Sequence, residues 1–84
     1  ETGADLAIIM AIVSSFKNRP ISKESIFIGE VSLVGDIREV AGIEQRLKEA
    51  ANLGFKKAII PSKINLPGIK TYEVKEVEKL FEWL

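Results

Sequence analysis

Residues 26–54 read IFIGEVSLVGDIREVAGIEQRLKEAANLG, and their reading decides the fold. Ile26, Phe27, Ile28, Val31 and Leu33 favour the pleated state, so residues 25–33 are expected to form a strand. Gly29 interrupts it. A glycine inside a strand marks a bulge or the close approach of another backbone. Val34-Gly35-Asp36 carries the chemistry of a reversal, and residues 37–40 return as the partner strand. Glu30, the one acid inside the first strand, reads either as an exposed-face residue or, by preference, as a partner for Arg38 across the hairpin. Ala41-Gly42 then leads into a helix with Ile43, Leu47, Ala50 and Ala51 on one apolar face. Glu44 and Lys48 stand four apart in the favourable order, and Gly54 is the expected stop. Arg46 flanks the apolar face one turn from Ile43. It is expected to be half buried, with a partner for its guanidinium.

Upstream, residues 6–13 are apolar throughout. Thr2 is the expected helix cap, with Asp5 in the capping-box position, where its charge also suits the helix dipole. Leu6, Ile9, Met10 and Val13 mark one stripe, and Ala7, Ile8, Ala11 and Ile12 fill the rest. A helix apolar all round must be covered on all sides. The expectation is that this chain is cut from a longer protein whose upstream strands cover one helix face. The apolar run is far short of the ~20 residues of a membrane span. The opening Glu1-Thr2-Gly3 has no initiator Met and no basic region, unlike a signal peptide. Pro20 is expected to end the helix. Ser14 and Ser15 near that end are read as hydroxyls bonding backbone carbonyls rather than as nucleophiles.

Downstream, residues 55–61 read as a short buried strand entered through Lys56 and Lys57. Residues 62–68 form a loop with Pro67-Gly68 as its turn, and residues 69–74 a last strand. Val74, Val77, Leu80, Phe81 and Leu84 then recur at helical spacing. Trp83 lies off that stripe, free to pack on the domain or on a neighbouring subunit.

The chain has 84 residues, enough for one domain with a marginal core. It has no cysteine and no histidine, which excludes disulfides, thiolate metal sites, Cys nucleophiles and His-dependent triads. The lack of cysteine fits a reducing compartment. Twelve basic residues balance twelve acidic ones, so no global field draws nucleic acid or membrane. The glycines form no phosphate-cradling loop, and the carboxylates occur singly. Serine activated by lysine is the one catalytic chemistry the composition permits, and no local pattern marks a pair. The cations worth naming are Lys17, Arg19, Lys23, Lys56, Lys57 and Lys63; each alone reads as a solvated side chain.

The run GEVSLVGDIREVAGIEQRLKEAANLGFKKAIIP, with ADLAIIMAIVSSFKNRPI before it, resembles the C-terminal Lon-protease-like domain of the bacterial RadA (Sms) family of DNA repair proteins. The resemblance covers nearly the whole chain. It implies an α+β fold of the Lon-protease-like, ribosomal protein S5 domain 2-like kind, in two layers, with helices on one face of a small mixed sheet. Residues 1–84 would be a single domain fragment whose upstream strands are missing. Lon peptidases carry their serine in a G-P-S-A-G-like turn, which falls on Gly3 and Ala4 here. Their catalytic lysine falls on Arg46, in Ala41-Gly42-Ile43-Glu44-Gln45-Arg46, and the threonine of their T-G-E strand is replaced by Ile28. Glycine has no nucleophile, and a guanidinium does not give up its proton to serve as a base. The resemblance therefore implies a non-catalytic relative that supports a hexameric ring and helps an attached ATPase engage single-stranded or branched DNA in the cytoplasm. ATP, Mg and Zn would belong to the parent protein, with no cofactor and no membrane contact in this segment.

Two other readings stand beside it. One is the C-terminal part of an active ATP-dependent Lon-type Ser–Lys peptidase, against which Gly3 and Arg46 argue. The other is an oligomerisation domain with no nucleic-acid role, in which the lysines have no bearing on DNA affinity.

Overall fold

The computed structural model describes residues 4–83. Its decisive feature lies at Gly29. Residues 25–33 form not one strand but two, β2 (Ser25–Phe27) and β3 (Glu30–Val31), and they belong to different sheets. β2 runs parallel to β5 (Lys57–Ile60), which runs parallel to β6 (Lys70–Glu73). β3 lies antiparallel between β1 (Ala4–Asp5) and β4 (Ile37–Arg38). The Ile28 N–H still donates to the Ile59 carbonyl at 3.1 Å, while the Gly29 carbonyl accepts from the Leu6 N–H at 2.9 Å. The chain thus changes partners across one peptide. A Cβ on Gly29 would stand 2.9 Å from Ile37 Cγ2 and 3.4 Å from the Arg38 carbonyl oxygen, so the close approach expected of this glycine is real.

The hairpin forms at the expected reversal, but its returning arm is short, Ile37–Arg38 rather than residues 37–40. Gly35, at φ 91°, lets its N–H donate to the Ser32 carbonyl at 3.1 Å, and Glu30 stands opposite Arg38 in the ladder. α1 (Leu6–Lys17) starts at a different cap from the expected one. Asp5 Oδ1 accepts from the Ala7 N–H at 2.8 Å and the Ile8 N–H at 3.4 Å, which makes Asp5 itself the N-cap; Thr2 lies outside the described residues. α1 also ends before Pro20. Asn18 takes the left-handed conformation at φ 56°, its N–H donates to Ser15 O at 3.2 Å, and the Arg19 N–H donates to Ser14 O at 3.0 Å. That is a Schellman closure. The Ser14 hydroxyl donates to the Arg19 carbonyl, the helix-end role expected of it. α2 (Ile43–Asn52) closes the same way: the Gly54 N–H donates to Ala51 O and the Phe55 N–H to Ala50 O, both at 3.1 Å.

The class is α+β with parallel and antiparallel pairing, but the helices do not share one face. Phe27 and Ile59 turn toward Leu6 and Met10 of α1, whereas Ile28, Ala58 and Ile60 turn toward Ile43, Leu47 and Ala50 of α2. The reason is in the strands. Residues 26–28 and 58–60 are apolar at successive positions, so both faces of the parallel sheet need cover. The expected last α-helix is a 3-10 helix, Val77–Trp83. Within it Val77 is half buried and Leu80 buried, a spacing of three that suits the tighter turn, in which every third side chain is eclipsed.

Candidate functional site

Three parallel strands all start at one end of their sheet, and the chain gathers cations there. Ser25, Lys57 and Lys70 are register partners across β2, β5 and β6. Lys56 joins all three strands by backbone: its N–H donates to the Glu24 carbonyl and its carbonyl accepts from the Lys70 N–H, each at 2.9 Å. Lys23 precedes β2 by two residues. Lys17 closes α1, and Arg19 follows in residues 18–24, which lead back to the start of β2. Lys17, Arg19, Lys23, Lys56 and Lys70 are exposed and Lys57 is half buried. Five of the six cations singled out from sequence therefore belong to the strand starts or to the chain leading into them: Lys56 and Lys57 at the start of β5, Lys23 just before β2, Lys17 at the end of α1 and Arg19 between α1 and β2.

The sixth does not. Lys63 follows Pro61 and Ser62 at the opposite end of β5, in an open hollow that it shares with Glu39 and Glu44. The Ser62 hydroxyl donates to Glu39 there. Glu73 ends β6 at this same end and pairs with Lys75 at 3.4 Å, and Asp36 bridges Glu76 in backbone pairing. Net neutrality thus hides an uneven distribution: the strand starts carry Lys56, Lys57 and Lys70, whereas the other end mixes acids with lysines, Lys75 and Lys79 lying with Glu73 and Glu76.

Arg46 is exposed rather than half buried. Ile43, Leu47 and Ala50 take the buried stripe of α2, and Arg46 falls outside it on the rim. It lines a hollow of about 380 Å³ together with Asp5, Ile28, Gly29 and Glu49. Gly3, the other position of interest, lies outside the described residues, and the side chain of Trp83 is likewise not described. Among the described residues no group of three or more acidic side chains is placed to hold a metal ion, and no helix is long and apolar enough to cross a membrane.

A family model described as subunit ChlI of Mg-chelatase matches residues 2–64. DNA repair protein RadA of Campylobacter jejuni subsp. jejuni serotype O:2 is 56% identical over 85 aligned positions, which take in the whole of this chain and 19% of that protein. The chain belongs to this ChlI family and is a segment of the RadA type. RadA of Bacillus subtilis strain 168 is 54% identical over 81% of the chain and 15% of its own length. RadA of Escherichia coli K12 is 42% identical over 92% of the chain and 18% of its own length. The chain spans about a fifth of the length of the relatives it matches most fully.

In this RadA-type segment one cation at the strand starts was missed from sequence. Lys70 begins β6, two residues before Tyr72, as Lys57 begins β5 two residues before Ile59. The alternation was readable in each strand. The parallel register that sets Lys57 beside Lys70 was not, because a residue pairing across strands far apart in sequence leaves no local trace.

Proposed function

We propose that this segment is a non-catalytic, Lon-like domain of a RadA-type DNA repair and recombination protein, which contacts DNA and helps its parent assemble into a ring. The observation that carries the DNA contact is the set of cations at the starts of the parallel strands, Lys56, Lys57 and Lys70, with Lys23 just before β2, Lys17 ending α1 and Arg19 on the connection from α1 to β2. A sequence-independent grip on DNA is made by cations that displace counterions from phosphates, and it needs a local basic surface rather than a net charge. The name shared by the relatives, DNA repair protein RadA, supports the setting. ATP hydrolysis, Mg and Zn belong to the rest of the parent, and single-stranded or branched DNA is its partner in the cytoplasm.

Absence of peptidase chemistry in the segment rests on Gly3 and Arg46 at the dyad positions. Peptide cleavage lost on changing Ser14 or Ser15 overturns it. The bare outer face of α1 supports a larger assembly: Ile8, Ile12 and Phe16 are exposed, and further chain of the parent covers them in this reading. Light scattering of the intact parent with nucleotide tests the ring, which a monomer at micromolar concentration contradicts. The DNA role is tested by titrating single-stranded DNA into the parent and into a version lacking this segment, over a range of salt. The expected result is weaker binding and a flatter salt dependence on deletion. Unchanged binding overturns the role.

A further inference from the structure

We propose that Lys57 and Lys70 form one phosphate-gripping row on the α1 side of the parallel sheet, and that Lys63 takes no part in it. The inference rests on the DNA-contact reading above and narrows it to two residues, one of which no motif marks.

The geometry is that of strand alternation. Ile59 and Tyr72 pack on the α1 side, and side chains two apart on a strand share a face. Lys57 and Lys70 therefore project from the α1 side, in register with each other. Lys70 Nζ stands 5.4 Å from the Tyr72 ring centroid, which places it on that face independently. Neighbouring strands lie about 4.8 Å apart, so two lysines stand side by side with only Ser25 as the third member of the row. Like charges directly opposite in a sheet repel. A phosphate between them turns that repulsion into a two-pronged grip, and the Tyr72 ring holds one prong while leaving its other N–H donors available. Lys17 ends the helix packed on this same face, and Arg19 follows it in the connection to β2. The acids nearby are Glu24, at the turn before β2, and Glu82, which lines a hollow beside Tyr72. Lys56 lies just before β5, and Lys63 sits among Glu39 and Glu44 at the far end.

The test is fluorescence anisotropy of a labelled oligothymidylate titrated with the full-length parent over a range of salt. Lys57→Gln and Lys70→Gln are each expected to lower affinity about fivefold at ~0.1 M salt and to remove about 0.7 from the slope of log affinity on log salt, the mark of one lost single-strand phosphate contact. Lys63→Gln is expected to leave both quantities unchanged, and Lys70→Arg to retain them. Lys57 is half buried; should circular dichroism show its Gln variant misfolded, the exposed Lys70 decides alone. If Lys70→Gln does nothing while joint neutralisation of Lys17, Arg19, Lys23 and Lys56 flattens the slope, the row is wrong and the DNA contact stands. If neutralising all of these cations leaves the slope unchanged, both fail together.

Discussion

The two helices of this chain are built on opposite plans. α2 is apolar on one stripe only: Ile43, Leu47 and Ala50 are buried against the sheet, and Glu44, Gln45, Lys48 and Glu49 face water. α1 is apolar on two. Leu6 and Met10 are fully buried, yet Ile8 is 60%, Ile12 63% and Phe16 89% exposed. Ile8, Ile12 and Phe16 are spaced four apart, a second stripe on the same helix. A helix with one apolar stripe states its whole environment. A helix with two states an environment of which the described residues supply half. The difference teaches that the described residues account for both faces of α2 but only for the inner stripe of α1.

The largest effect expected is on the completed side. Leu47 is wholly buried beneath α2, and Leu47→Ala should destabilise the fold by about 2–5 kcal/mol through lost burial and the cavity left behind. Urea denaturation followed by far-ultraviolet circular dichroism reads it. A loss under about 1 kcal/mol would mean that α2 is no better seated than α1, and the contrast between them would collapse.

The next test strikes the junction between the two sides. Phe27 faces α1, Ile28 faces α2, and Gly29 carries the chain into the second sheet. A methyl group there meets Ile37 Cγ2 at 2.9 Å and Leu6 Cδ2 at 3.4 Å, both on the α1 side. Gly29→Ala should cost about 1–3 kcal/mol by overpacking. Hydrogen exchange should show faster exchange in α1 and β4 than in α2. Equal loosening on both sides would show that the two cores move as one.

These elements differ in how far the sequence foretold them. The hairpin, α2 and its stop at Gly54 were legible because each depends on neighbours: a turn glycine, a helical period, a left-handed cap. The need for Gly29 was legible, but its consequence was not, since a change of sheet depends on partners as remote as Ile59 and Leu6. The expected half-burial of Arg46 failed because flank positions are decided by how α2 is rotated on the sheet. For the candidate site, the cations could be named from sequence. The setting of Lys57 beside Lys70 at the strand starts, with Lys63 at the opposite end of β5, required the parallel register.

Smaller again is the effect of the helix starts. α1 is fastened by Asp5, whose carboxylate accepts two backbone N–H groups, while α2 starts at Gly42 with no side-chain cap. Asp5→Ala should therefore cost about 1 kcal/mol. The loss is expected as a lower urea midpoint with fraying confined to the first turn of α1. No change in midpoint would mean that packing of Leu6 and Met10 alone sets where α1 begins.

The smallest expected effect in this chain is the most telling for the comparison. Ile12 lies on the outer stripe of α1, 63% exposed, so Ile12→Ser removes little buried area. In the chain of residues 1–84 the change in stability should stay within about 0.5 kcal/mol, as for other surface positions. In the intact parent the same substitution should cost about 1.5–3 kcal/mol, because a covered stripe loses the burial of a large aliphatic side chain. Hydrogen exchange of α1 amides in the parent, with and without the substitution, measures the second value. A small effect in both settings would mean that nothing covers the stripe, and the second face of α1 would then be an exposed apolar surface in its own right. A small effect in the chain and a large one in the parent would place the missing half of the environment of α1 in the rest of the protein.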